Sequence, residues 1–402
     1  MKNTKKTDKK SIVLALVYFF RQGAGLLSIP FKGLNRATLG GNLDPTYLLG
    51  LYYIKDILKQ QKKRKEFLIC LSPILFIVLF QLISLTPTNV PKFIVTFIKL
   101  VLCVLILLFV KNYSKKINLY HFSIAYTVVA GVFTIISLLA RNTIMWRYND
   151  YVNSFDLTRL QLFYLEPSEL GFHISIIILI LLCLFLSDKY KKYKYKILGM
   201  ILANVFILYL SKALGATVIL FGTVTLLLIY AVATSPNKKN IAALIIFAII
   251  SIGAIVALVA NDSSLVERIS SVASGTDGSV NYRLNVSFDV LGRSMSDYGP
   301  FGVGLGNVNT DAFISRYANF GLDQMIVNSF VYFWVETGAI GFIFWMVFML
   351  YLFYRCADKR DKLAFALLLF VFLYQFVGGH YTSGLSWIVY GYVLSKGKFD
   401  ES

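Results

Sequence analysis

Long apolar blocks separated by short polar stretches run the length of this chain. Twelve are legible, at 11–30, 45–59, 67–85, 92–110, 119–140, 169–187, 197–211, 215–233, 241–260, 326–353, 363–379 and 384–395. A membrane-crossing helix needs roughly 20 apolar residues. Lipid offers no partner to a free backbone amide, so such spans are helical. The second and the last of the twelve are short. The pattern predicts an all-α integral membrane protein of about 12 transmembrane helices, one polytopic domain over 1–402. Only two connections are long and polar, 141–168 and 261–325. They predict two large loops on one side of the membrane, containing short amphipathic helices. Within 282–297, Leu284, Phe288, Leu291 and Met295 recur at helical spacing, which reads as a helix lying on the membrane surface. The run 301–307 (FGVGLGN) ends it in a Gly-rich turn.

Charge gives the pattern an orientation. Of the 40 Lys and Arg, 27 fall in alternate connections: 1–10, 55–66, 111–116, 188–196, 235–240, 354–362 and the tail from Lys396. The intervening connections hold 10. Short basic loops stay in the cytoplasm, so both termini are expected inside and the loops 141–168 and 261–325 outside the cell membrane. Hydrophobic residues make up 57% of the chain and mean hydropathy is +0.67, too apolar for a soluble domain of this length. The net charge of +19 therefore faces anionic lipid and is not read as affinity for nucleic acid. The first apolar stretch has no small-residue cleavage site and reads as a span. None of Cys70, Cys103, Cys183 and Cys356 lies in an outer loop, so no disulfide and no Cys metal site are expected.

The outer charges differ in kind from the inner ones. Eight of the ten are Arg, whereas only Arg64, Arg355 and Arg360 are Arg among the 27. A guanidinium binds phosphate oxygens bidentately and an ammonium does not. Arg147, Arg268 and Arg316 read as contacts to headgroups or acidic neighbours. Arg159 and Arg283 stand just before structured segments, which favours function. In 159–173 (RLQLFYLEPSELGFH), Pro167 fits the first turn of a helix and puts Glu166 at its N-cap. Glu166 is either a cap with Glu169 as its reaching partner or a carboxylate that accepts a proton from a hydroxyl. His173, inside the span, reads as a hydrogen-bonder between helices. Lys212, in the turn LSKALGA, either snorkels or serves a ligand. Arg21, within the first span, is an intramembrane charge and a functional candidate by default.

There is no P-loop, no D-x-D and no metal-ligand cluster among His121, His173 and His380. Chemistry here is expected to use a donor already activated by phosphate in the membrane, with no cofactor, nucleotide or metal.

The order of these elements resembles the O-antigen polymerase/ligase superfamily, of the Wzy and WaaL type, in its Gram-positive capsule or exopolysaccharide branch. The stretches that carry the resemblance are 159–172 (RLQLFYLEPSELGF), 210–220 (LSKALGATVIL), 281–307 (NYRLNVSFDVLGRSMSDYGPFGVGLGN) and 327–342 (VNSFVYFWVETGAIGF). Outside roughly 160–345 the likeness is one of hydropathy only. The resemblance implies a GT-C-like glycosyltransferase that moves glycan from an undecaprenyl-diphosphate-linked oligosaccharide on the outer face. It implies Arg159 and Arg283, and behind them Arg293, as ligands of the donor diphosphate; Lys212, from its place in the turn, is a further candidate. Ligases often carry His-Asn where this chain has Val327-Asn328, which argues for a polymerase and removes that His as a base. Glu166 is then the first candidate base and His380, in the turn GGHYTSG, the second. Partners expected alongside the bilayer are a flippase and a chain-length regulator. A ligase, a lipid-linked oligosaccharide transporter and a non-enzymatic scaffold are the rival readings. A transporter is expected to show internal repeats and midplane charges, and of these only Arg21 fits.

Overall fold

A computed structural model describes residues 2–20, 44–86, 88–140, 145–147, 159–164, 166–234, 270–378 and 381–395. The principal helices are α1 (Lys2–Phe19), α2 (Tyr47–Lys59), α3 (Gln61–Ile83), α4 (Val90–Tyr113), α5 (Leu119–Leu139), α6 (Pro167–Leu186), α7 (Lys194–Ser211), α8 (Leu214–Thr234), α9 (Ser287–Tyr298), α10 (Asp311–Tyr317), α11 (Ser329–Lys359), α12 (Lys362–Val377) and α13 (Gly384–Leu394). Eleven of the twelve predicted spans meet one of them, the first only at its start. Span 241–260, Arg21, Arg268 and His380 lie outside the described residues. Seven of the described helices are long and apolar enough to cross a membrane, and α12 and α13 are shorter apolar helices. The protein is an all-α, multi-pass membrane protein.

Side-chain caps punctuate the helices. Asn89, Asn118, Thr310, Asn328 and Asp361 each accept from a backbone N–H of the helix they precede, satisfying a donor the helix leaves unpaired. The core is built round α6, whose apolar residues are buried on every side. That is the signature of a helix enclosed by others. It packs against α5, α7, α8 and α12. Gly171 lets the first turns of α6 approach the α7–α8 turn, since a Cβ there would lie 2.4 Å from Ala213 Cβ. This contact brings the 159–173 and 210–216 segments together.

The two long loops differ from each other. The described part of 141–168 holds no helix before α6 but a two-residue antiparallel ladder, β1 (Trp146–Arg147) and β2 (Arg159–Leu160). The described part of 261–325 is mostly short helices. The buried face of α9 is Ser287, Val290, Leu291 and Ser294, while Leu284 and Phe288 are exposed. The four apolar positions thus divide, Leu291 and Met295 towards the protein core and Leu284 and Phe288 on the open face. Residues 282–286 wind as a π-helix, which shifts the angular phase of α9. Helix α9 packs against α11.

Candidate functional site

The ladder sets Arg147 directly opposite Arg159. Like charges opposite one another on adjacent strands repel, so the pair persists only with other partners. Arg159 Nε donates to the Ser211 carbonyl at 3.2 Å and Nη2 to the Lys212 carbonyl at 3.3 Å. Arg147 Nη1 lies 3.7 Å from Glu166 Oε1. Lys212 ends α7 in the left-handed region, at φ 46° and ψ 37°. That conformation costs an L-residue about 1–2 kcal/mol, and here it turns the chain back towards Arg159. Three separate segments thus bring Arg147, Arg159, Glu166 and the backbone of Lys212 together beside the N-terminus of α6, where free N–H groups favour an anion.

Glu166 occupies the N-cap position of α6 in an extended conformation but makes no side-chain cap bond. Its oxygens go to Arg147 and to Ser168, whose hydroxyl donates to Oε2 at 3.0 Å. The Glu166 side chain is 60% exposed. His173 is buried, with Nδ1 2.8 Å from the Glu169 carbonyl and its ring against Tyr18, Tyr164 and Phe172. The Nδ1 contact lies within α6 itself rather than between helices as expected, and the ring joins α6 to α1 by packing on Tyr18.

In the second loop, Arg283 is half-buried on the π-turn, and its carbonyl accepts from Asn328 Nδ2 at 3.3 Å. Asn328 also caps α11, so Arg283 sits at the head of that helix. Arg293 is ten residues further on, about 15 Å at 1.5 Å per residue. Its guanidinium lies over the Phe320 ring, 5.0 Å from the centroid. Arg316 pairs with Asp297 at 3.1 Å and stacks on Tyr298. Tyr317 donates to the same Asp297 at 2.7 Å. These contacts fasten α10 to α9, so Arg316 has the acidic neighbour that its bland reading required. Burial, and then the bond to Asp297, push the Tyr317 hydroxyl upward. Burial takes the Tyr282 hydroxyl up to about 12, and it donates to the Gln324 carbonyl at 2.6 Å. Both phenols stay protonated at neutral pH and act as donors.

One junction was missed by sequence reasoning. Helix α11 kinks at Gly338, where φ is 66° and ψ −173°. The Val335 carbonyl accepts from Val303 N–H at 2.9 Å and the Glu336 carbonyl from Gly304 N–H at 3.1 Å. Gln81 Nε2 also donates to the Glu336 carbonyl, at 2.7 Å, while its Oε1 accepts from Leu305 N–H at 3.2 Å. The Gly-rich segment 301–307 is therefore laid backbone to backbone on the kink. Asn307 Oδ1 ties it to the start of α4 by accepting from Thr88 Oγ1 and Asn89 N–H. Glu336 itself is fully buried and accepts from the Tyr381 hydroxyl through Oε2. Tyr381 is the residue after His380. The rule that an intramembrane charge marks a site pointed to Arg21, and applied to E-T-G it points equally to Glu336. Among the described residues no group of three His, Cys, Asp or Glu could hold a metal ion.

Residues 46–396 match the family described as WcaD colanic acid polymerase. The chain belongs to that family, in agreement with its resemblance to O-antigen polymerases. No curated protein matches the chain.

Proposed function

We propose that this member of a polysaccharide polymerase family joins undecaprenyl-diphosphate-linked oligosaccharide repeat units into a capsule-like or exopolysaccharide chain on the outer face of the cell membrane. The convergence of Arg147, Arg159 and Glu166 on the Lys212 turn at the head of α6 supports this reading. In the reaction a hydroxyl of one lipid-linked unit attacks the anomeric carbon of another. A new glycosidic C–O bond forms and the bond from that carbon to the diphosphate oxygen breaks. The departing lipid diphosphate gains negative charge, which Arg159 and Arg283 stabilise more strongly in the transition state than in the ground state. Lys212 and Arg293 are the further cations of the diphosphate path. Arg293 is the more peripheral, because Phe320 already engages it. Glu166, steadied by Arg147 and Ser168, accepts the hydroxyl proton. His380, beside Tyr381, is the alternative base. In the cell the protein works with a flippase that delivers units and a regulator that sets chain length.

If Glu166 is the base, Glu166→Gln keeps its shape and removes the proton acceptor. Polymer is then expected to vanish from cell extracts while single lipid-linked units accumulate. Polymer of normal length in that variant would reduce Glu166 to a partner of Arg147 and move the search to His380. The lysine asymmetry favours a cytoplasmic location for both termini. A cysteine at the exposed position Ser274 is accordingly expected to react with an impermeant maleimide in intact cells. Labelling only after lysis would reverse the topology.

A further inference from the structure

We infer that the cavity between α1 and α13 binds one acyl chain of an anionic phospholipid, whose headgroup sits on Lys10, Lys115 and Lys116. Helix α1 packs on α5, whereas α2 and α13 pack on α4. Between these two groups lies a cavity of about 90 Å³. Its walls include Leu14 and Val17 of α1, Ile388 and Val389 of α13, and Ile176 and Ile180 of α6. The lining is almost entirely apolar. Two hydroxyls at its edge are engaged elsewhere. Thr46 Oγ1 donates to Asp44 Oδ1 at 2.6 Å, and Tyr18 Oη donates to the His173 carbonyl at 3.5 Å. An apolar cavity gives water no partner, and left empty it forfeits the packing of the atoms that line it. Hydrocarbon is the occupant it favours.

Charge at one end selects the headgroup. Along α13 the lining runs from Leu385 to Tyr392, about 10 Å, which fits within the roughly 15 Å of hydrocarbon in one leaflet. Gly391 meets Leu107 and Val110 of α4, so the Tyr392 end of the cavity is also the end of the lining residues Ser114 and Ile117. Lys115 and Lys116 stand between those two, in the 3₁₀ turn Ser114–Lys116. Lys10 lies one turn before Leu14 on the same face of α1. The Asn118 N–H donates to Ser11 Oγ at 2.8 Å, which holds the start of that face to the same turn. Nearby, Lys63 and Lys111 are paired with Asp56 and Glu66. Lys10, Lys115 and Lys116 are exposed and form no ion pair among the described residues. Three cations at the mouth of a hydrocarbon slot complement an anionic headgroup. The tail of the lipid-linked substrate fits less well. The anion-favouring N-terminus of α6 is about 14 to 20 Å along the helix from Ile176 and Ile180, and the lysines lie beyond them. An occupied cavity still packs against the helix that carries Glu166.

The test uses the purified full-length protein in detergent. Native mass spectrometry reads which lipid stays bound. Titration with phosphatidylglycerol and with phosphatidylcholine of the same acyl chains gives the two affinities. Wild type is expected to retain one phospholipid per chain and to bind phosphatidylglycerol at least about 10-fold more tightly than phosphatidylcholine. Lys10→Gln, Lys115→Gln and Lys116→Gln combined are expected to weaken phosphatidylglycerol binding by roughly 10- to 100-fold and to leave phosphatidylcholine binding unchanged. Ile388→Phe puts a ring into the cavity and is expected to weaken both lipids alike. Should Ile388→Phe not fold, Leu14→Phe on the opposite wall is read in its place. Four results would each overturn the inference: no phospholipid retained by wild type, a polyprenyl lipid retained in its place, equal affinity for the two phospholipids, or wild-type phosphatidylglycerol affinity in the triple Gln variant or the folded Phe variant.

Discussion

Arg159→Ala abolishes polymer, with normal amounts of protein in the membrane, if the α6 site binds the donor diphosphate. The expected loss of turnover is on the order of 10²–10³, the scale for removing one preorganised group that stabilises transition-state charge. The geometry explains why the loss is not merely local. The Arg159 guanidinium is oriented by two carbonyls, those of Ser211 and Lys212, and one of them belongs to a residue held in a left-handed conformation. A guanidinium fixed in this way is already aimed before substrate arrives. Arg159→Lys keeps the charge but offers a point donor in place of a fork, so it is expected to restore only part of the activity. Arg283→Ala is expected to behave likewise, since its backbone is pinned by Asn328 at the head of α11. The readout is polymer by immunoblot, scaled to protein in the same membranes. Full activity in either Ala variant removes that arginine from the site.

Gly338→Ala is the substitution expected to damage the fold most. A Cβ at 338 would lie 2.0 Å from the Pro300 carbonyl oxygen and 2.5 Å from Gly302 N, both backbone atoms with no side chain to move aside. The backbone at φ 66°, ψ −173° also lies in a region essentially confined to glycine, where strain costs on the order of 1–3 kcal/mol before any collision is counted. With the overlap included, the total is about 3 kcal/mol or more, among the largest effects of a single substitution. Gly222→Ala is the control. That position is helical and nothing lies within 4 Å of its added Cβ, so alanine there is expected to be neutral or to stabilise by up to about 1 kcal/mol. Membrane abundance and melting in detergent measure both. Normal abundance and melting for Gly338→Ala would mean that the Gly-rich segment does not sit against the kink.

The helical frame was legible because lipid allows few alternatives. An apolar run of sufficient length has to pair its own backbone, and α3 to α8 and α11 follow the hydropathy closely. Arg159, Glu166 and Lys212 were each legible as outlying charges beside span ends. Their meeting was not, because it depends on a two-residue ladder too short to leave a periodic signal. The Arg147–Glu166 pair was hidden for the same reason, and the bland reading of Arg147 as a residue with an acidic neighbour fits it. The π-turn before α9 was not legible, because the spacing of apolar residues is read at 3.6 residues per turn. Glu336 stood in plain view as E-T-G. What its neighbours were, Gln81, Gly304 and Tyr381, needed three elements far apart in sequence to be brought together.

Polymerisation by the purified wild-type protein alone bears most directly on the proposed activity. The full chain in nanodiscs receives a single undecaprenyl-diphosphate-linked repeat unit and no nucleotide sugar. The expected result is a ladder of glycans rising by one repeat unit per step, one lipid diphosphate released for each bond formed, and neither in Arg159→Ala. A folded wild-type protein that binds the lipid-linked unit yet lengthens nothing and releases no lipid diphosphate would contradict it.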